Sequence, residues 1–134
     1  AGVQIQLIVR GICCLIPGVP GMSEHIEAIS IVDKFLEHPR VFIFGNEGNP
    51  LVYISSADWM TRNIENRVEV GCPIYDSQVK QELIDTFEIS WSDNVKGRML
   101  IDTQQSPYRN NGAAPVRSQY ALYEYYQKKL TGSN

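Results

Sequence analysis

The stretch Val3-Gln4-Ile5-Gln6-Leu7-Ile8-Val9-Arg10-Gly11 begins in strict alternation and ends on a cation followed by glycine. Val3, Ile5, Leu7 and Val9 fall on one side of an extended chain, the period-two pattern of a half-buried strand. A strand that ends in Arg10-Gly11 projects a guanidinium from its carboxyl end while the backbone beside it stays open. Working outward, the same pattern predicts strands over Glu27 to Val32, Arg40 to Phe44, Leu51 to Ser55 and Arg67 to Cys72. Pro17-Gly18-Val19-Pro20-Gly21 is a loop between the first two. Gly45 to Pro50 (GNEGNP) is a hairpin-type turn between the third and the fourth.

Helical spacing enters later in the chain. Ile31 to Glu37 predicts a short helix, stopped at His38-Pro39 because the residue before a proline is pushed out of the helical region. After Asp76, a good N-cap, a helix is expected to about Ile89, with Val79, Leu83, Ile84 and Phe87 on one face and Lys80, Glu82 and Asp85 outside. A second is expected over Arg117 to Leu130, where Tyr120, Leu122, Tyr123, Tyr126 and Leu130 supply apolar surface. Thr103 to Pro115 is polar, holds two prolines and reads as an exposed loop, and Gly132 to Asn134 should fray. Strands first and helices later imply an α/β fold, a mixed β-sheet flanked by helices, in a single domain over residues 1–134.

Composition narrows the function classes. With 134 residues, 43% hydrophobic and 20% charged, the chain suits one ordinary core. A net charge of −3 argues against a nonspecific nucleic-acid coat but leaves room for a local basic pocket. Apolar runs are short and broken by Pro17, so no membrane-spanning helix is expected. The amino end has no basic stretch followed by an apolar one, which is not the pattern of a signal peptide, and it reads as a piece of something larger. Three cysteines, two of them adjacent, form no disulfide framework and no metal spacing; reduced thiols in a cytosolic protein are expected.

Two histidines can carry chemistry. His38 stands at a predicted helix-to-strand junction beside Pro39 and Arg40, at a sheet edge where ligands of α/β proteins bind. His25 lies beside Glu24 and Glu27, where a surface role is easier to believe. Arg10 could offer a bidentate fork to an oxyanion, against the plainer reading of a strand-end arginine in water. Arg62, Arg67, Lys96, Arg98 and Arg117 are further cations that charge alone does not separate. No Walker loop, dinucleotide glycine motif or nucleophile elbow is present, and no carboxylate pair stands out.

Four blocks carry a family resemblance: Arg10 to Glu24 (RGICCLIPGVPGMSE), Ser30 to His38 (SIVDKFLEH) with Arg40 to Phe44 (RVFIF), Val52 to Asn63 (VYISSADWMTRN), and Arg67 to Val70 (RVEV) with Pro73. In that order and spacing they resemble the C-terminal part of the long, autophosphorylating bacterial polyphosphate kinases. The likeness continues through Val95 to Arg98 and Val116 to Tyr123, so it covers essentially the whole chain. It implies the second of two phospholipase-D-like domains and the reversible transfer of the terminal phosphate of ATP to inorganic polyphosphate. ATP/ADP and polyphosphate would be the ligands, the remaining domains of a homo-oligomeric parent enzyme the partners, and nucleic acid none. By the same resemblance, the family's ATP-binding arginine and histidine of this domain fall on Arg10 and His38. The phosphohistidine nucleophile, the arginines that bind Mg2+ and another nucleotide contact would lie outside this chain.

Elementary chemistry agrees with that assignment. Phosphoryl transfer asks the protein to position groups and neutralise charge on oxygen. Arg10 could clamp the oxygens, and His38 could act as the catalytic acid or hold the phosphate through a charge-assisted bond. His38-x-Arg40 and Ser55-Ser56-Ala57-Asp58 look like a degraded H-x-K…G-S-x-N pattern of the phospholipase D superfamily, with arginine for lysine and Gly45 at the aspartate position. A phospholipase-D-type phosphodiesterase, paired across a dimer, and a noncatalytic anion-binding module are the competing readings. The expected location is the cytoplasm, or a membrane surface for the parent enzyme, and the isolated chain is expected to be catalytically silent.

Overall fold

The computed structural model describes residues 1–101 and 106–132. The chain forms two compact units, Ala1–Leu36 with Glu88–Asn134, and Glu37–Phe87. The α/β class expected from the sequence is found, with the strands divided between two small three-stranded sheets rather than gathered in one.

In the first unit, β1 (Ile5–Ile8) runs parallel to β2 (Ile26–Ile31), and β6 (Gly97–Met99) pairs antiparallel to the other edge of β2. This sheet is therefore mixed, as the sequence predicts. Ala28 and Ile29 of the central strand are buried, and Trp91 joins them among the buried apolar residues of this unit. Parallel neighbours need a long crossover, and Val9 to His25 supplies it as loop. Ser23 is buried inside that crossover, donating to the Ile16 carbonyl at 2.6 Å and accepting from the Val19 amide at 3.0 Å.

In the second unit, β3 (Val41–Phe44), β4 (Leu51–Ser55) and β5 (Gly71–Pro73) form an antiparallel sheet in that order. Val52, the second residue of the middle strand, is 2% exposed. The turn between β3 and β4 is a single 3-10 turn over Asn46–Gly48, with Asn46, Glu47 and Gly48 all at positive φ. The Asn46 side chain closes it by donating to the Asn49 carbonyl at 2.9 Å, which is why a polar, glycine-bearing segment is needed there.

Asp76 caps α2 (Ser77–Trp91) as expected: its Oδ1 accepts from the amides of Gln78 and Val79, each at 2.9 Å. Leu83, Ile84 and Phe87 of the expected apolar face are half-buried, but Val79 is exposed, and Glu82 and Asp85 are half-buried too. α3 (Ser118–Thr131) ends at Gly132, whose left-handed φ of 67° and bond to the Lys128 carbonyl stop the helix. Of its expected apolar face, Tyr120, Tyr123, Tyr126 and Leu130 are exposed and Leu122 is half-buried.

Three expectations are corrected. Ile31 to Glu37 is not a helix. Gln119 of α3 accepts from the Phe35 amide at 2.9 Å and donates to the Phe35 carbonyl at 2.8 Å, taking the backbone groups a helix would use. The strand expected over Arg67 to Cys72 is confined to β5, because Glu69 turns its carboxylate back to Ser56 and Asn63 before the ladder begins. And α1 (Thr61–Asn66), at six residues too short to show a period, was not predicted. The loop expected over Thr103 to Pro115 and the fraying end fall partly outside the described residues. From Tyr108, which forms an isolated bridge with Arg98, the loop is held to the first unit.

Candidate functional site

Each sequence-derived site residue sits at the end of a strand. Arg10 lies just past the carboxyl end of β1, in the first unit, and is exposed. The ladder there still holds, since the Val9 amide donates to the Ile29 carbonyl at 2.8 Å. His38 lies just before β3, in the second unit, with its side chain 42% exposed. His25 lies just before β2 at the surface, its Nδ1 3.1 Å from Nε2 of Gln4.

Around His38 the second unit assembles a compact polar cluster. Arg40 donates from Nε to Oδ1 of Asp58 at 2.7 Å, and its Nη2 meets Nε2 of His38. Asp58 Oδ1 is 3.8 Å from the same imidazole nitrogen. A guanidinium only donates, so in this contact Nε2 of His38 stands as the acceptor. The Arg40 hydrogen bond holds the Asp58 carboxyl below the usual carboxylate range, with the charges of Arg40 and Arg62 adding to it. The same bond raises the guanidinium of Arg40 above its ordinary value.

A second carboxylate lies close behind. Glu69 accepts from Ser56 Oγ and, at 2.8 Å, from Asn63 Nδ2, and these bonds hold it below its ordinary value. Asn63 is 3% exposed, and its Oδ1 finds no partner. Arg40, Arg62 and Arg67 act on these carboxylates, so three cations face Asp58 and Glu69. The cluster can receive an anion without a net acidic field around it.

Beside it, Phe42 stacks on Trp59 with ring centroids 5.6 Å apart, and Phe44 meets Tyr53 edge-on at 6.1 Å. These rings, with Ser55 and Gly71, line a shallow groove of about 310 Å³. No charged side chain lines it, so the groove is not itself a phosphate site. Among the described residues no three His, Cys, Asp or Glu side chains gather as metal ligands.

Arg40 and Asp58 were visible in sequence only as parts of a degraded motif. The signal that would have singled them out is the spacing of two between His38 and Arg40, which puts both on one side of an extended segment. The step to Asp58 requires the β3–β4 hairpin and could not be read locally.

Comparisons with known proteins concur on one family. The profile "Polyphosphate kinase C-terminal domain 2" matches residues 1–119. The polyphosphate kinase of Vibrio parahaemolyticus is 53% identical over 126 residues, covering 93% of this chain and 18% of its own length. That of Escherichia coli is 49% identical over the same shares. The chain thus spans 18% of the length of these curated relatives. Among solved structures, a polyphosphate kinase from Porphyromonas gingivalis superimposes with a TM-score of 0.91 at 46% identity, over 96% of this chain and 20% of that one.

Proposed function

This chain belongs to the polyphosphate kinase C-terminal domain 2 family, and from that premise we propose that it supplies the ATP- and phosphate-binding part of an ATP:polyphosphate phosphotransferase. The overall step breaks the bond between the terminal phosphorus of ATP and its bridging oxygen and forms a new bond to a terminal oxygen of polyphosphate, releasing ADP. The histidine that carries the phosphoryl group in between belongs to the remainder of the enzyme. The observation that most supports the reading is the exposed His38, held beside Arg40 at the end of β3.

In this scheme Arg10 neutralises phosphate oxygens through its fork of donors. In the second unit, His38 offers a ring N–H to phosphate, as a hydrogen bond or as a proton for a departing oxygen. Magnesium, when bound, would screen charge on the nucleotide phosphates, and the family resemblance puts its ligands in the rest of the enzyme. No helix among the described residues is long and apolar enough to cross a membrane. Three free cysteines suit a reducing cytoplasm, which we propose as the location. Assembly of the parent into an oligomer belongs to the same proposal.

The test is an assay of phosphoryl transfer between ATP and polyphosphate. In the full-length enzyme, His38→Gln and Arg10→Ala should each lower kcat/KM by about 100-fold or more, as loss of a charged contact to the reacting group does. Wild-type rates in both variants would remove the site. The isolated chain should take up no labelled phosphate from ATP; diester cleavage by it would favour a phosphodiesterase instead.

A further inference from the structure

We propose that the outer face of α3 is a self-association surface, and that its occupant is the α3 of a second copy of this chain, packed antiparallel across a twofold axis. Tyr120, Tyr123, Tyr126 and Leu130 are all exposed, Tyr123 at 65% and Leu130 at 89%. At the helical repeat they fall on one arc of about 120°. The face that holds α3 to its own unit is the opposite one, where Ser118 is buried and Ala121, Leu122 and Tyr125 are half-buried.

The composition of the outer face suits an interface. A helix face turned only to water carries charge, and this arc carries three phenols and a leucine. Tyrosine covers a large apolar area with few rotamers and keeps its hydroxyl at the rim, which is why it is enriched where proteins meet. Arg117 lies over the ring of Tyr120, 4.5 Å from its centroid, and the residue is still 45% exposed.

Charge selects the occupant and its direction. Glu124 is the one acid of α3, and Lys128 follows it by four residues, so both line the same edge of the apolar arc. Both are exposed, and among the described residues neither has an ion-pair partner. When two copies of one helix pack antiparallel, each edge meets its own counterpart. Glu124 of one copy then reaches Lys128 of the other, and the contact occurs twice. A parallel pair would set this edge against the opposite one, which carries no acid. The surface is therefore self-complementary in one orientation, without a second kind of protein to supply the opposing charge.

Size sets the strength. A helix of 14 residues is about 21 Å long, and two such faces bury on the order of 400 Å² per copy, half of a standard interface. The pair should be weak and concentration-dependent, with a dissociation constant on the order of 0.1 mM. The competing occupants of the face are water and the remainder of the parent enzyme. Neither depends on a reciprocal pairing of residues 124 and 128.

Sedimentation equilibrium of the chain reads that pairing. Between about 10 µM and 1 mM the mean mass should climb from the monomer toward the dimer. Glu124→Lys and Lys128→Glu should each weaken association by about 10-fold or more, because like charges then face each other twice. An equimolar mixture of the two variants should associate like wild type, since each all-lysine edge then meets an all-glutamate one. Far-UV circular dichroism identifies a variant that fails to fold, and Glu124→Arg or Lys128→Asp then takes its place. A monomer mass across the whole range overturns the proposal. So does wild-type association in either single variant, or a mixture that associates no more tightly than its components.

Discussion

Asp93 in the first unit and Asp58 in the second are both held below the ordinary carboxylate range, and for opposite reasons. Asp93 has no exposed surface. Burial alone would push its carboxyl up, but backbone N–H groups from Ser118, Lys96 and Gly97 overcome that. Its Oδ1 accepts from the amides of Val95, Lys96 and Gly97 at 3.0, 2.6 and 2.9 Å, and its Oδ2 accepts from Ser118 at 2.7 Å. Asp58 is 31% exposed and its leading partner is a side chain, Arg40. A carboxylate that satisfies buried backbone stabilises a fold; one that binds a solvent-open cation beside an exposed histidine contributes little to it.

The largest effect should come from breaking the first of these. Asp93 joins the start of β6 to the first turn of α3, replacing orphan amides' lost water with four charge-assisted bonds. In Asp93→Asn one side-chain atom becomes a donor facing a donor, and the buried amide it met is left unsatisfied. Stability should fall by about 2–4 kcal/mol, read as a lower urea midpoint. A midpoint equal to wild type would remove Asp93 from its structural role. The space around it is already tight: a Cβ at Gly97 would stand 2.4 Å from the Asp93 carbonyl oxygen.

A smaller effect is expected at Asp33, the other structural carboxylate of the first unit. Its side chain is 2% exposed, and Arg117 reaches it bidentately, Nε to Oδ2 at 2.7 Å and Nη2 to Oδ1 at 2.6 Å. The Arg117 hydrogen bond holds this carboxyl down. Solvent reaches Arg117, which is 34% exposed, so Asp33→Asn should cost only about 1 kcal/mol. The sign with pH follows from the direction of the shifts. Asp33 and Asp93 both have folded values below their unfolded ones, so their stabilisation is complete above the unfolded range and is lost as pH falls. The urea midpoint should be level above about pH 5 and decline below about pH 4. In Asp93→Asn the decline should be shallower; the same slope in both proteins would mean that other carboxylates carry the acid sensitivity.

The two regions also differ in how far they could be read from sequence. Leu51 to Ser55 is a short run of strand-forming residues after a turn signal, and β4 spans it end to end. Asp76 was legible as an N-cap because a cap acts on amides two and three residues away. His38 and Arg10 could be singled out as strand-end residues, and the family motifs gave them roles. What escaped is non-local. Ile31 to Glu37 has helical spacing, but Gln119, 84 positions on, takes the Phe35 backbone. Asp93 looked like one more scattered acid, since its Ser118 partner is 25 positions away. Asp58 needed the whole hairpin to bring it to Arg40, 18 positions earlier. Local pattern locates elements; it cannot say which polar side chain will close on a distant backbone.

The smallest expected change in stability is at Asp58, and its smallness is what gives the comparison its meaning. Asp58→Asn leaves the β3–β4 ladder untouched, because all four of its residue pairs, from Val41 with Ile54 to Phe44 with Leu51, lie before Asp58. The ion pair with Arg40 is open to water, where such pairs contribute little to folding. The melting temperature of this chain should therefore move by no more than the error of the scan, while Asp93→Asn lowers it plainly. A large drop in Asp58→Asn would make Asp58 a second Asp93, a brace for the Ser55–Asp58 segment. An unchanged melting temperature would mean that a lowered carboxylate pKa marks a contribution to the fold where buried backbone donors lower it, and not where a solvent-open cation does.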